Sequence, residues 1–138
     1  LPYLFVLWAC LKCGTAYRLA AGVSFAQKLT GMMDTPPMGV LGVCACDNKE
    51  PWRYFIAVST SKDSDGLEEY TVPAATWAVF SGSGTGQSIQ ELERRIGTEW
   101  LPTSGYEYGN APDIEVYLNA DPQNAQYEVW IPVTKKQG

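Results

Sequence analysis

The sequence predicts an α+β fold, in which a duplicated β-α-β-β unit forms one antiparallel sheet with two helices on one face. Three observations lead to this prediction. Several short segments alternate apolar and polar residues with the period of a β-strand. Two longer segments repeat their apolar residues at the spacing of a helix. The order helix, strand, strand occurs twice in 138 residues, a length that suits one domain.

The first half begins with an almost wholly apolar segment, residues 1–11. This segment is too short for a membrane span and lacks the features of a signal peptide, so it is predicted to be a core strand. Because it is apolar on both faces, we expect it to pair into the sheet of the first half or to dock on a dimer partner. Residues 17–34 predict an amphipathic helix, and residues 38–47 and 52–60 predict two strands.

The second half repeats this order. Residues 69–82 predict a strand interrupted at Pro73, and a glycine-rich turn leads into a predicted helix at 88–100. Ser88 is expected to cap this helix, with Glu91 completing a capping box. Charges of alternating sign along the helix predict a solvated face with ion pairs, and they belong to Glu91, Glu93, Arg94, Arg95 and Glu99.

Two alternating strands, at residues 113–119 and 126–133, close the chain and are joined by turn residues, so we expect them to pair as neighbours. A shift of 74 residues superposes the earlier pair of strands on this pair without a gap. The same shift places Tyr54 over Glu128 and assigns Trp52 to the same face. The repeat therefore predicts two aromatic hairpins on either side of a cleft.

One face of the final hairpin predicts a ligand site. Glu115 and Tyr117 point away from the aliphatic residues of the first strand, and Glu128 and Trp130 do so in the second. Carboxylates among large rings suit a flat, cationic organic molecule, through stacking, cation–π attraction and a counter-charge. The alternative is an ordinary sheet face, because Tyr and Trp favour strands and an isolated Glu is usually solvated.

Composition excludes several classes of function. The chain has no His, which removes Ser-His-Asp and Cys-His catalysis and His-ligated metals. Its net charge of −5 argues against a nucleic-acid surface and suits cationic ligands. The glycine-rich turn at 82–86 has no Lys where a phosphate-binding loop needs one. We therefore expect no cofactor, no direct nucleic-acid contact and no membrane segment.

The four cysteines are Cys10, Cys13, Cys44 and Cys46. They could form a zinc site, but a Cys-x-Cys pair in a strand points its sulfur atoms to opposite faces. We expect small buried thiols in a reducing cytosol, a cytoplasmic location and no metal.

Four ordered motifs lie at residues 69–80, 99–106, 115–117 and 128–133. Together they resemble the GyrI-like family, the effector-binding domain of bacterial multidrug-sensing MerR- and AraC-type transcription activators. The resemblance covers about residues 38–136. We expect residues 1–138 to form one domain of this type, in which residues 1–35 are atypical or truncated. It implies a pseudo-symmetric pair of β-α-β-β units. It also implies that Glu115 forms the floor of an aromatic drug pocket and that Glu128 matches a second acidic position.

The leading hypothesis is a stand-alone module that binds hydrophobic, often cationic small molecules and is linked to transcription regulation or drug resistance. Glu115 and Glu128 would supply negative charge, and the ring walls would come from Trp52, Tyr54, Trp100, Tyr117 and Trp130. Two alternatives follow from the same resemblance. One is a hydrolase of cyclopropane-containing electrophiles that uses Glu115 and Tyr117, and the other is a gyrase-inhibitor-type protein-binding module. The macromolecular partners expected are a DNA-binding regulator, gyrase or a second copy of the chain.

Overall fold

The structure is a computed structural model, which describes residues 3–12, 31–45, 53–61, 68–72, 74–119, 121 and 123–137. Its strands are β1 (Tyr3–Lys12), β2 (Val40–Ala45), β3 (Arg53–Ser59), β4 (Glu68–Val72), β5 (Thr76–Gly84), β6 (Tyr106–Tyr108), β7 (Asp113–Tyr117) and β8 (Ala125–Lys135). Helix α1 (Gly86–Arg95) follows β5 and runs into a π-helical turn (Ile96–Trp100) and a 3₁₀ turn (Leu101–Thr103). The segment 69–82, predicted as one interrupted strand, thus contains two strands, of which β4 ends at Val72 and β5 begins at Thr76.

The described strands form one eight-stranded antiparallel sheet, which confirms the predicted α+β class. Seven strands follow the order β4-β1-β3-β2-β7-β8-β5, and β6 pairs with the end of β8. Strand β1 pairs with both β3 and β4, so the apolar N-terminal segment joins the sheet of the first half, one of its two expected placements. Within the described part of the chain, no helix is long and apolar enough to cross a membrane.

The sheet is strongly curled, because the connection between its two edge strands is short. In a flat sheet, seven strands about 4.8 Å apart would hold β4 and β5 roughly 29 Å from one another. The chain from Val72 to Thr76 reaches only about 14 Å, at about 3.3–3.6 Å per residue. Val72 of one edge and Trp77 of the other accordingly pack in one cluster with Leu41 and Val116 of the central strands. We call the face that carries this cluster the inner face.

Helix α1 packs on the opposite face, which we call the helix face. Ile89 and Ile96 are buried there against Tyr127, Val129 and Ile131 of β8. Residues 13–30, which hold most of the first predicted helix, lie outside the described residues, and only Gly31 and Met32 of that helix are described as helical. On the exposed side of α1 and the turn after it, ion pairs join Glu91 to Arg94 and Arg95 to Glu99, which confirms a solvated charged face at these positions.

The predicted capping box of this helix is wrong. The cap position is Thr85, with an extended backbone and no side-chain cap hydrogen bond. Ser88 lies inside the first turn, where its hydroxyl donates to the Thr85 carbonyl oxygen at 2.7 Å. The same hydroxyl shares a 2.7 Å hydrogen bond with the Tyr127 hydroxyl. Ser88 therefore connects α1 to β8 through its hydrogen bond with Tyr127.

The shift of 74 residues between the two halves is also wrong. It superposes Leu41, on the inner face, on Glu115, which lies on the helix face. A shift of 73 residues superposes Gly42 on Glu115, two positions that pair directly across the centre of the sheet. Because side chains alternate along a strand, an error of one residue reverses every face assignment. The duplication itself stays a prediction.

Candidate functional site

The register of the final hairpin separates the two carboxylates that the sequence analysis assigned to one face. Glu115 pairs with Val129, and Val116 with Glu128, so Glu115 lies on the helix face and Glu128 on the inner face. The loop fixes this register. The Asn119 side chain accepts a 2.9 Å hydrogen bond from the Gln126 amide and donates a 3.1 Å bond to the Asn124 carbonyl. The prediction of a single face was wrong because alternation alone does not determine register.

Trp130 lies with Glu128, away from Glu115. Its indole N–H donates to the Glu128 carboxylate at 3.2 Å, and its ring lies 5.9 Å from that of Trp77. Glu128 and Trp130 therefore both lie on the inner face, away from Glu115, and their role in ligand binding stays a prediction.

Three other predicted ring residues have different outcomes. Trp100 packs edge-on against Phe80 at 5.0 Å and stacks on Tyr106 at 6.2 Å, which makes it a contact between the helix end and the sheet. Trp52 lies outside the described residues. The backbone of Tyr54 pairs with Cys44 in β3 and β2.

A cavity of about 630 Å³ lies on the helix face beside Tyr117. It lies between the start of α1, the loop end of the β7–β8 hairpin and the segment that enters β2. Its described lining is mostly apolar and includes no Lys or Arg, and it consists of Met33, Met38, Gly39, Val40, Thr85, Gly86, Ile89, Tyr117, Leu118, Asn119, Asp121, Ala125 and Tyr127. Flexible thioethers and aromatic rings can adapt to ligands of different shape.

Two glycines allow the ring-bearing strands of the cavity to pack closely. A Cβ atom on Gly39 would lie 2.7 Å from the Tyr117 carbonyl oxygen, so only Gly permits this approach of β7 to the start of β2. A Cβ atom on Gly82 would lie 2.6 Å from the Tyr127 ring. The ring of Tyr127 therefore lies across the bare backbone of β5, with its hydroxyl at Ser88.

Tyr117 connects the cavity to a cluster of carboxyl groups. Its ring lines the cavity, and its hydroxyl donates to the Glu115 carboxylate at 3.2 Å. Glu115 and Asp113 both act on the carboxyl group of Glu93 in α1, and Asp113 lies two residues before Glu115 on the same face of β7. Among the described residues, no group of three or more His, Cys, Asp or Glu side chains is arranged to hold a metal ion. The link between the cluster and the cavity is Tyr117, whose ring lines the cavity and whose hydroxyl contacts Glu115.

The electrostatics of the cluster favour the protonated state of two of its members. Partial desolvation, the hydrogen bond to Glu115 and the charges of Glu115 and Asp113 raise the pKa of Glu93 to about 8. Desolvation and the charge of Glu115 raise the pKa of Asp113 to about 6. The Glu93 side chain is exposed, whereas the carboxyl groups of Asp113 and Glu115 that repel its negative charge are half-buried. Desolvation and the same acidic neighbours also raise the pKa of Tyr108.

Sequence reasoning missed Glu93 and Asp113, although both carry a readable signal. Asp113 lies two residues before Glu115 in an alternating strand and so shares its face. Glu93 lies four residues after the buried Ile89, on the same side of the helix. The charge alternation around Glu93 is the pattern of a solvated face, which concealed this relation.

A family model described as the GyrI-like small molecule binding domain matches residues 11–134. The chain belongs to this family. Two solved structures share the GyrI-like fold. SAV2435 bound to tetraphenylphosphonium is 18% identical, with a TM-score of 0.73 over 96% of this chain and 89% of that one. A protein from Staphylococcus aureus MU50, provisionally assigned to bacterial transcription regulation, is 21% identical, with a TM-score of 0.66 over 96% of this chain and 93% of that one. No curated protein matches the chain.

Proposed function

We propose that this GyrI-like domain binds hydrophobic cations in the cavity beside Tyr117, as an effector-binding module for transcription regulation or drug resistance. The observation that carries the proposal is one contact: Tyr117 lines the apolar cavity and hydrogen-bonds Glu115. The apolar body of a ligand can occupy the cavity while its positive charge lies near the carboxyl cluster. The tetraphenylphosphonium bound to SAV2435 is a molecule of this chemical kind.

The size of the cavity and the sign of its surroundings agree with this proposal. About 630 Å³ is within the range of small-molecule sites. Asp121 is the single charged residue of the described lining, and it is acidic. A cation therefore meets favourable charge at the hairpin loop and at Glu115, with Tyr117 and Tyr127 available for cation–π contact.

The proposal is tested by titrating the purified protein with tetraphenylphosphonium and with the neutral triphenylphosphine oxide in a calorimeter. We expect Glu115→Gln to weaken cation binding by about 1.5–3 kcal/mol, the range for contacts with a charged group. The same substitution should weaken the binding of triphenylphosphine oxide much less. Glu91→Gln, which removes an exposed carboxylate on the outer side of α1, is the matched control and should bind the cation like the native protein.

Two results would contradict the proposal. Failure of the native protein to bind tetraphenylphosphonium would remove the cation-binding function itself. Equal affinity of the native protein and Glu115→Gln for the cation would exclude Glu115 from the site.

A hydrolase is the second candidate function, and one observation favours it. Glu93, whose pKa is raised to about 8, lies beside Glu115, which accepts a hydrogen bond from the Tyr117 hydroxyl. A proton donor and a carboxylate in one site could open a strained ring by acid–base chemistry. Incubation with a cyclopropane-containing electrophile and mass spectrometry would detect this reaction. Turnover that disappears in Glu115→Gln supports a hydrolase, and an unreacted substrate counts against it.

Gyrase, a DNA-binding regulator and a second copy of the chain are the proposed macromolecular partners. The net charge of −5 is compatible with an acidic surface that mimics nucleic acid in a gyrase complex. Pull-down from a lysate with added gyrase, and the mass of the free protein by light scattering, test these partners separately.

A further inference from the structure

We infer that Thr35 and Ser59 are positioning residues for the ligand, because a relay of hydrogen bonds through their hydroxyl groups fixes one wall of the cavity before a ligand enters. This wall is the segment from Met33 to Val40, which we call the thioether wall because it carries the two methionines of the described lining. Thr35 and Ser59 themselves are not among the residues that line the cavity. The inference rests on the proposed function and deepens it, since it names residues that control the same site from outside it.

The thioether wall is attached to the end of β3. Met32, directly before the wall, is buried against Val58 of that strand. The amide groups of Asp34 and Thr35 both donate to the Ser59 carbonyl oxygen, at 3.2 and 3.4 Å. The wall is therefore attached to a strand of the first half, whereas the tyrosine rings that line the cavity belong to β7 and β8.

The direction of the relay follows from the single hydrogen atom of each hydroxyl group. The Ser59 hydroxyl donates to the Pro36 carbonyl oxygen at 3.0 Å, so it does not also donate to Thr35. The Thr35 hydroxyl lies 2.6 Å from the Ser59 hydroxyl oxygen and is therefore the donor of that bond. Ser59 is fully buried, so water cannot replace a partner that it loses. The relay thus holds two successive residues of the wall, Thr35 and Pro36, through one buried hydroxyl group.

The opposite end of the wall is fixed by a close approach of two backbones. A Cβ atom on Gly39 would lie 2.7 Å from the Tyr117 carbonyl oxygen and 2.8 Å from a methyl carbon of Val116. Gly39 is buried at this contact, and Val40 begins β2 directly after it. The thioether side chains are flexible, but the backbone that carries them is fixed on both sides of Met38.

A fixed backbone raises affinity because binding to a preformed site requires less ordering of the protein. If the wall were free, a ligand would have to order residues 34–38 as it bound, and its affinity would be lower by that cost. The relay therefore contributes to affinity although neither of its hydroxyl groups contacts the ligand.

The test compares Thr35→Val with Thr35→Ser in a calorimetric titration with tetraphenylphosphonium. Val has the shape of Thr but cannot donate, and a methyl group 2.6 Å from the Ser59 oxygen would be closer than carbon and oxygen approach without a bond. We expect Thr35→Val to raise the Kd roughly 2- to 10-fold, the change that corresponds to one hydrogen bond. Thr35→Ser retains the hydroxyl group and should bind like the native protein.

Ser61→Ala is the matched control. The Ser61 hydroxyl donates to the Asp34 carboxylate at 2.8 Å on the exposed side of the same attachment, where water can take its place. The Ser61 amide retains its own 2.7 Å bond to that carboxylate. The Kd of this variant should stay within about twofold of the native value. Thermal melts establish a temperature at which each variant is folded, so that a loss of stability alone does not change the Kd.

A second measurement uses the native protein and depends on no variant. Hydrogen exchange of the Asp34 and Thr35 amides is followed by NMR in the absence of ligand. If the wall is fixed before a ligand enters, both amides should exchange much more slowly than in an unfolded chain. Exchange at the rate of an unfolded chain would overturn the inference, also where Thr35→Val does not fold.

The outcomes separate this inference from the proposed function. A folded Thr35→Val with a lowered melting temperature and the native Kd makes the relay a structural contact only, which overturns the inference and leaves the function standing. An equal loss of affinity in Thr35→Ser and Thr35→Val overturns the role of the hydroxyl group. Absence of tetraphenylphosphonium binding by the native protein overturns the proposed function and, with it, the positioning role.

Discussion

At the scale of single residues, Gly82 determines where a wall of the cavity can lie. A Cβ atom at this position would meet the Tyr127 ring at 2.6 Å and its hydroxyl at 2.9 Å. Gly82→Ala should therefore displace the ring and break the 2.7 Å hydrogen bond to Ser88. We expect a loss of about 1–3 kcal/mol in the free energy of unfolding, the range for overpacking in a core.

Urea denaturation measures this loss, and Gly97→Ala is the control. Gly97 is exposed in the turn after α1, and a Cβ atom there would have no neighbour within 4 Å. The control should be neutral or slightly more stable than the native protein, because Ala restricts the unfolded chain. If Gly82→Ala is as stable as Gly97→Ala, the Tyr127 ring is free to move and does not depend on the bare strand.

At the scale of secondary-structure elements, the contact of α1 with β7 makes stability depend on pH. The pKa of Glu93 is raised to about 8 and that of Asp113 to about 6 in the folded protein, above their ordinary values of 4.5 and 3.8. At a pH between the ordinary and the raised pKa of each group, the folded state binds more protons than the unfolded state. Their stabilising contribution is therefore complete below about pH 4 and is lost as pH rises through 6 and 8.

Through these two groups, the urea concentration at the unfolding midpoint should decrease as the pH is raised from 5 to 9. The Glu93→Gln variant should lose part of this fall and should be more stable than the native protein at pH 9. Solvent screens the exposed Glu93 side chain, so the direction of the change is the prediction. In Glu91→Gln the fall should remain, because the pKa of Glu91 is lowered by its hydrogen bond to Arg94 and shifts in the opposite direction. A native midpoint that rises steadily across this range would contradict the raised pKa values.

The sequence predicted elements better than it predicted how they pair. Strands β2, β3, β7 and β8 and helix α1 lie within or near the predicted segments, because hydrophobic periodicity is a local property. Register depends on the hydrogen bonds of Asn119 across the hairpin loop, which alternation does not contain. For that reason Glu115 and Tyr117 were predicted together and are together, whereas Glu128 and Trp130 were assigned to the wrong face. Glu93 was missed because its partner lies on another element.

At the scale of the whole molecule, the curled sheet holds an inner core and leaves the helix face for the cavity. Strand β4 lies at the edge of the strand order, yet its Val72 is fully buried. It packs with Leu41, Ile114 and Val116 of the central strands, because the short connection to β5 draws the two edges together. An edge strand that contributes to the core in this way should be as sensitive to truncation as a central one.

We therefore expect Val72→Ala to reduce the free energy of unfolding by about 1.5–3 kcal/mol, because two buried methyl groups at about 0.8 kcal/mol each are lost and a cavity is left. Val116→Ala, in central strand β7 and equally buried, should lose a similar amount. The control is Val79→Ala in β5, where the side chain is 46% exposed and the change should stay within about 0.5 kcal/mol. Urea denaturation of the three variants gives the comparison. A loss at Val72 as small as that at Val79 would mean that β4 is not part of the core and that the sheet is more open than its strand order requires.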